Sequence, residues 1–299
     1  MIMPRKRAKT TDTIVYQGRA IVHFHEKLHR YSVSVPALEK FRVSQPGATT
    51  ILQIKDKSGP LCGWSVNQCE VFVQQRVADN PKSWMPNEAI LEMASKMKSH
   101  YRNVKQEAAD IGIVVHDFLH SHLRYIQDGG TRPNRPVITE VFSQKQVDQA
   151  NNAIDAGLEF FESHKLQPWT MERPVWSPSL GVIGTDDFIG LVDSEPCCID
   201  YKTSKQLWHE IWMQTAIYTA AYKEEYPDSG LTGIRWGVNT GKDGKLTAIK
   251  RGQETYENDL ASFLAARQLW HWDRVENGGK PVEVIGSLDS VHIPDEEEW

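Results

Sequence analysis

Four cysteines among 299 residues are too few for a disulfide framework. None stands in a C-x-x-C pair: Cys62 and Cys69 fall in one expected helix, and Cys197 and Cys198 are adjacent in an apolar, strand-like run. No zinc knuckle or ribbon is expected, and the thiols should be free and buried. Long apolar runs are also missing. None approaches the roughly 18–20 residues of a membrane span. The basic start, Met1 to Lys9, has no apolar stretch behind it and does not read as a secretory signal. A reducing compartment is the expectation. Positive charge is in deficit, with 34 Lys and Arg against 39 Asp and Glu and a net charge of −5. That argues against a general polycationic surface. It leaves room for a local basic groove, because steering depends on where charges sit.

The composition is otherwise that of a globular chain, with 40% hydrophobic and 24% charged residues, enough for a sizeable core. The length suits two domains, or one large α/β domain with a helical extension. Residues 1–13 read as a loose basic arm. Residues 14–35 alternate and carry β-branched and aromatic residues, as a small β element does. Helical spacing then runs from Ser58 to Asp79, from Pro86 to about Tyr101, from Glu107 to Gln127 ahead of Gly129-Gly130, and from Ser143 to Lys165. After Pro168 the character changes. Trp169–Ser177, Gly181–Val192 and Cys197–Lys202 read as three strands, and Gln206–Tyr226 as a helix. Leu231–Thr240 and Lys245–Lys250 read as a hairpin, and Glu254–Glu276 as a last helix before an acidic tail over 279–299. The expected division is an arm (1–13), an N-terminal β and helical region (14–104), a core (105–278) and the tail.

The chemistry concentrates in Asp187, Asp200 and Lys202. With a two-residue tip at Asp193-Ser194, Asp187 lies opposite Asp200; with a four-residue loop it faces Lys202. In both registers the three side chains share one face, because strand side chains alternate. Directly opposed Cβ atoms are about 4.5–5.5 Å apart, so the two carboxylates repel unless a cation lies between them. An oxygen-rich site of this kind suits Mg²⁺ or Mn²⁺. A lysine beside that cation could orient a water or offset charge on a phosphoryl group. The plain alternative is a solvated hairpin face with a surface salt bridge. Against it stands the apolar strand around Asp200, since a buried carboxylate needs a partner.

Three neighbouring segments supply matching groups. Gly112 and His116 lie at i and i+4 on one helix face; glycine there costs about 1 kcal/mol against alanine and signals a close approach. His116 could ligate a metal, or could pair with His120 as an i,i+4 zinc site, although the H-E-x-x-H pattern is absent. Gln214 and Tyr218 are again i and i+4, on the helix after Lys202. That helix's first amides, with Thr203 and Ser204, could hold a phosphate. Glu172, one strand before Asp187, is either a further acidic group or a surface residue.

In order, Gly112/His116, Gly184/Asp187, Asp200/Lys202 and Gln214/Tyr218 form G-x-x-x-H, G-x-x-D, D-x-K and Q-x-x-x-Y. The set resembles the RecB-like exonuclease branch of the PD-(D/E)XK nuclease superfamily over roughly residues 105–222. The stretch from His29 to Trp64 is similar to phage-encoded and mitochondrial exonucleases of that branch. The resemblance implies an α/β fold of restriction-endonuclease type: a mixed central sheet flanked by helices, here with a helical N-terminal extension. It implies a Mg²⁺- or Mn²⁺-dependent DNA exonuclease acting at DNA ends in recombination, replication or repair, in the cytoplasm of a bacterial or phage-infected cell. His116, Asp187, Asp200 and the Tyr201 carbonyl would ligate one or two ions. Lys202 would position the attacking water, Glu172 would add an acidic group, and Gln214 and Tyr218 would orient the site or touch the DNA backbone. Asp186 should point to the opposite face. Some relatives carry a four-cysteine iron–sulfur cluster, three of its cysteines near the C-terminus; with none after Cys198, no cluster is expected here.

DNA, the expected partner, needs cations. Lys96, Lys98, Arg102 and Lys105 on the helical segment before Gly112, with Arg5-Lys6-Arg7, are candidates, and Tyr101 and Trp84 could stack bases. The same helix face could equally be plainly solvated. A single-strand annealing or single-strand-binding protein is a candidate second partner. The tail ending in Trp299 is either disordered or a peptide docked by another protein. Two other functions stay open: a non-catalytic DNA-binding or assembly subunit that keeps the fold, and a site-specific endonuclease of the same superfamily.

Overall fold

The computed structural model describes residues 10–38, 42–55, 58–79, 86–136, 142–286 and 288. Four antiparallel strands, β1 (Thr10–Val15), β2 (Ala20–His25), β3 (Arg30–Ser34) and β4 (Arg42–Gln45), form an N-terminal sheet. Thr10 to Thr13, read from the sequence as the end of a loose arm, are therefore strand; Arg5, Lys6 and Arg7 lie outside the described residues. A short helix α1 (Ala48–Ile51) follows, then α2 (Ser58–Asp79) and α3 (Asn87–Asp128). α3 is continuous over 42 residues. The two helices expected there are one, because nothing between Tyr101 and Glu107 is glycine or proline. It ends where expected, at Gly129 and Gly130, both with positive φ. α4 (Gln144–Ser163) starts on a capping box in which Ser143 and Gln146 satisfy each other's backbone amides.

The remaining strands are β5 (Leu166–Thr170), β6 (Arg173–Ser177), β7 (Val182–Asp186), β8 (Phe188–Val192) and β9 (Glu195–Lys202). After helix α5 (Glu210–Glu225) come β10 (Ile234–Thr240) and β11 (Leu246–Arg251), and helix α6 (Tyr256–Glu276) ends the series. The central sheet has the order β11-β10-β9-β8-β5, with β9 and β10 parallel and the other pairs antiparallel. It is a mixed sheet flanked by helices. Alternation along β9 assigns its faces. Cys197, Ile199 and Tyr201 pack with α3 and α4 in one apolar layer, and Cys198 packs with α1, α5 and α6 in the other. Asp200 is thereby turned toward α5.

Two strands expected to be continuous are broken. The first divides into β5 and β6 at Met171-Glu172, where Glu172 has φ +49°. The second divides into β7 and β8 at Asp187. Both breaks occur at the same level. Below them β5 pairs with β8 in the central sheet; above them β6 pairs with β7 in a separate two-stranded sheet. The N-terminal sheet packs on that second hairpin through Val15, Val22, Val33, Trp176 and Ile183. Ile285 and Leu288 join the same cluster, so the first part of the acidic tail is packed; residues 289–299, with Trp299, lie outside the described residues. Among the described residues no helix is long and apolar enough to cross a membrane. Cys62 is exposed and Cys69 half-buried, contrary to the expectation of burial, while Cys197 and Cys198 are buried.

Candidate active site

The β8–β9 hairpin adopts the two-residue tip. Asp193 and Ser194 both have positive φ, as a type I′ turn requires. Asp193 is held by the Lys165 amide at 2.8 Å and by His164 at 2.6 Å. Phe188 then pairs with Ile199, and one step further Asp187 meets the end of β9. Its Oδ2 accepts the Tyr201 N–H at 2.6 Å. Its Oδ1 lies 3.7 Å from His116 Nδ1, and Glu172 Oε1 lies 3.8 Å from the same nitrogen. Those separations are too long for hydrogen bonds. One ligand atom from each of His116, Glu172 and Asp187 lies within 4.8 Å of the others. The two strand breaks and the middle of α3 thus present two oxygens and a nitrogen to one point, a donor set suited to a small divalent cation. Glu172 is a member of this group although its side chain is partly exposed.

Asp200 is not part of that triad. Its Oδ2 is ion-paired with Lys202 and its Oδ1 accepts Gln214 Nε2 at 2.9 Å. Gln214 Nε2 also donates to the Tyr218 hydroxyl at 2.8 Å. Gln214 and Tyr218 are 8% and 3% exposed, which removes them from reach of DNA and leaves them the role of orienting Asp200. Gly184 makes this possible. A Cβ there would lie 1.9 Å from Tyr218 Cε1, so only glycine lets β7 pass the ring. Gly112 serves likewise: a Cβ there would lie 3.1 Å from Thr203 Oγ1, so α3 runs closely past the end of β9.

The electrostatics follow from this crowding. Burial, then the neighbouring Asp187, push the Asp200 carboxyl up to about 6 against the pull of Lys202. Burial likewise raises Asp187. Burial opposes charge on His116, but Asp187 and Glu172 outweigh it and lift the imidazole to about 9. Burial opposes charge on Lys202 as well, and Asp200 and Asp187 overcome it and hold the ammonium in its charged form. A cleft of about 410 Å³ opens on the triad, lined by Gly112, Ile113, His116, Glu172, Thr185 and Asp187 among others.

Several expected roles find no support in this geometry. Tyr201 meets the site through its N–H on Asp187, and its ring is buried with α4. Helix α5 starts at Glu210, not Gln206, so the loop 203–209 separates its first amides from Thr203 and Ser204. The Ser204 hydroxyl is taken by the Gln206 carbonyl, and Thr203 packs on Gly112. His120 accepts the Arg124 Nε–H and does not join His116, and His122 is packed among Phe118, Tyr125 and Phe161. On α3, Lys96 pairs with Glu92 at 2.6 Å, and Arg102 and Lys105 are exposed. The side chains of Lys98 and Tyr101, and all of Trp84, lie outside the described residues.

Two residues at the site carried no sequence signal for the partners they take. Thr185 lines the cleft and bonds the Tyr31 hydroxyl at 2.9 Å. Asp186 is fully buried and accepts the Arg173 N–H at 2.7 Å, next to the strained Glu172; burial pushes it up to about 8. Their link to the site runs through residues distant in sequence, which no local pattern reports. Comparison of the chain with protein-family models and with curated proteins finds no match.

Proposed function

We propose that this chain is a divalent-metal-dependent DNA exonuclease of the PD-(D/E)XK type, hydrolysing phosphodiester bonds from DNA ends. The observation that carries the reading is the meeting of His116, Glu172 and Asp187 at the floor of an open cleft, with the Asp200–Lys202 pair on the adjoining strand. His116, Glu172 and Asp187 would hold Mg²⁺ or Mn²⁺, while Asp200 would anchor Lys202 beside it. The cation would supply electrophilic polarisation of a phosphodiester oxygen. The Lys202 ammonium, fixed by Asp200, is placed to orient a water and to oppose the negative charge that grows on the phosphoryl group. Gln214 holds the other oxygen of Asp200, and Tyr218 holds Gln214, so the lysine's anchor cannot rotate away. The cleft's openness suits a polymer backbone rather than an enclosed small molecule.

The test is a time course on end-labelled single- and double-stranded oligonucleotides with Mg²⁺, Mn²⁺ or EDTA. Digestion should need the metal and should vanish in Asp200→Ala and Lys202→Ala while DNA binding survives. Undiminished digestion by either variant rejects the site. Equal digestion of circular and linear DNA points to an endonuclease. DNA binding without digestion in any metal points to a non-catalytic subunit.

A further inference from the structure

A second concavity, of about 300 Å³, opens elsewhere on the chain. Its walls come from four places in the chain: His29 and Arg30 at the start of β3, Ser44 to Gly47 and Thr50 around the start of α1, Trp270 and Arg274 on α6, and Pro281-Val282. Among the described residues it is lined by two arginines and a histidine and by no carboxylate, in a chain whose net charge is −5. Arg274 is held in place, its Nε donating to the Lys280 carbonyl at 2.8 Å and its guanidinium lying 5.6 Å from the centre of the Trp270 ring. Among the described residues its outer nitrogens make no hydrogen bond. Hydroxyls of Ser44 and Thr50 and the Trp270 indole complete a lining of cations, small polar groups and one aromatic.

Two links tie it to the strand and cleft of the triad. Tyr31 packs its ring edge on Gly47, at 3.5 Å from where a Cβ would stand, and bonds Thr185 in the cleft with its hydroxyl. Pro46 and Gly47 also pair with Ile183 on β7, the strand that leads to Asp187. Tyr31 therefore bridges Gly47 in the lining of one concavity and Thr185 in the lining of the other. We propose that the second one binds the phosphodiester backbone of the same nucleic-acid strand, one or a few nucleotides away from the bond in the cleft. Arg30 and Arg274 take a phosphate there and Trp270 lies against a base. The proposal rests on the nuclease reading for its direction, since only a polymer substrate spans both concavities. Phosphate chemistry alone could also describe a free mononucleotide or inorganic phosphate, and the experiment separates these.

Binding of a fluorescein-labelled oligo(dT) by the full chain is measured in EDTA by anisotropy, across a salt series. Arg30→Ala with Arg274→Ala should weaken it about tenfold or more, and the slope of log affinity against log salt should fall by about 0.7 for each phosphate that the variant no longer neutralises. Arg30→Gln alone, on an exposed strand position, should show a smaller loss of the same kind and guards against misfolding of the double variant. Affinity within twofold of the parent, with an unchanged slope, overturns the proposal, as does a parent chain that binds no oligonucleotide. Competition by dTMP or inorganic phosphate that is lost in the variants, with oligonucleotide binding intact, also overturns it and makes the concavity a mononucleotide or phosphate site. Arginine-dependent binding without metal-dependent digestion supports this strand site while rejecting the nuclease reading.

Discussion

Gly184→Ala is the substitution that most directly tests how the site is assembled. The added methyl would stand 1.9 Å from Tyr218 Cε1, 2.7 Å from Cδ1 and 2.8 Å from Cζ. The ring cannot swing into solvent, because Tyr218 is 3% exposed and its hydroxyl is tied to Gln214. Gly184 cannot retreat either, because it is paired with Val175 in the β6–β7 hairpin. Overpacking at such a site costs about 3 kcal/mol. At about 2–4 °C per kcal/mol for a chain of this size, the melting temperature should fall by about 6–12 °C. Tyr218→Ala should cost a similar amount, about 3–5 kcal/mol, by leaving a cavity. The double variant decides the matter, since the alanine methyl then occupies space the ring has vacated. The double loss should fall short of the sum of the singles by about 2 kcal/mol or more in a urea or thermal cycle. Losses that add to within about 0.5 kcal/mol would show that Gly184 and Tyr218 do not touch, and the account of how Asp200 is oriented would fall with them.

Other consequences can be read independently. Arg235 is fully buried and bonded through Nη1 to Asp259 Oδ2 at 2.9 Å, and Arg251 shares the same carboxylate. Asp259→Ala leaves that cation unpaired and should cost about 3–5 kcal/mol in urea unfolding. Asp259→Asn, which keeps an acceptor, should cost less, and a loss under about 1 kcal/mol in the alanine variant would refute the pairing. Calorimetric titration with Mn²⁺ should show about tenfold or more weaker binding in His116→Ala, Glu172→Gln and Asp187→Asn; Mn²⁺ binding untouched by Glu172→Gln would remove Glu172 from the ligand set. Burial pushes the Cys197 thiol up to about 12 and raises the Cys198 thiol as well. A thiol reagent at neutral pH should therefore label the exposed Cys62 readily in the native chain and reach Cys197 and Cys198 only after denaturation. Fast labelling of all four would contradict the β9 burial.

What is legible in the sequence is local. Apolar spacing, the Ser143 cap, the Gly129-Gly130 stop and the alternation around Cys197–Lys202 place α2, α4, β9 and the end of α3. Each of those signals is carried by residues within a turn or two of the element itself. The hairpin tip is legible only as two alternatives, and the positive φ of Asp193 and Ser194 selects the two-residue one. The glycines at 112 and 184 mark close approaches without saying to what. Thr203 and Tyr218, their neighbours, come from elsewhere in the chain. The four-stranded N-terminal sheet reads from the sequence only as a small β element, because its fourth strand is short and carries weak alternation.

The breaks at Glu172 and Asp187 explain why the metal-facing group is harder to read than the fold. Strand-type residues lie on both sides of each break, Trp169-Thr170 and Val175-Trp176 in the first segment, Val182-Ile183 and Phe188-Ile189 in the second, so local propensity favours two long strands. Had they stayed straight, Glu172 and Asp187 would be spent on ladder positions. Tertiary packing decides otherwise. The upper halves of the two strands are drawn onto the N-terminal sheet by Trp176 and Ile183, and the lower halves stay in the central sheet with Phe188 and Ile189. Where one pair of strands leaves one sheet for another, the ladder opens. Glu172 takes a left-handed φ, the Arg173 amide finds the Asp186 carboxylate, and the Asp187 carboxylate is freed to take the Tyr201 amide and face His116. The N-terminal sheet is thus part of the site's geometry and not an appendage to it, because together with α1 and α5 its apolar face holds β6 and β7 outside the central sheet.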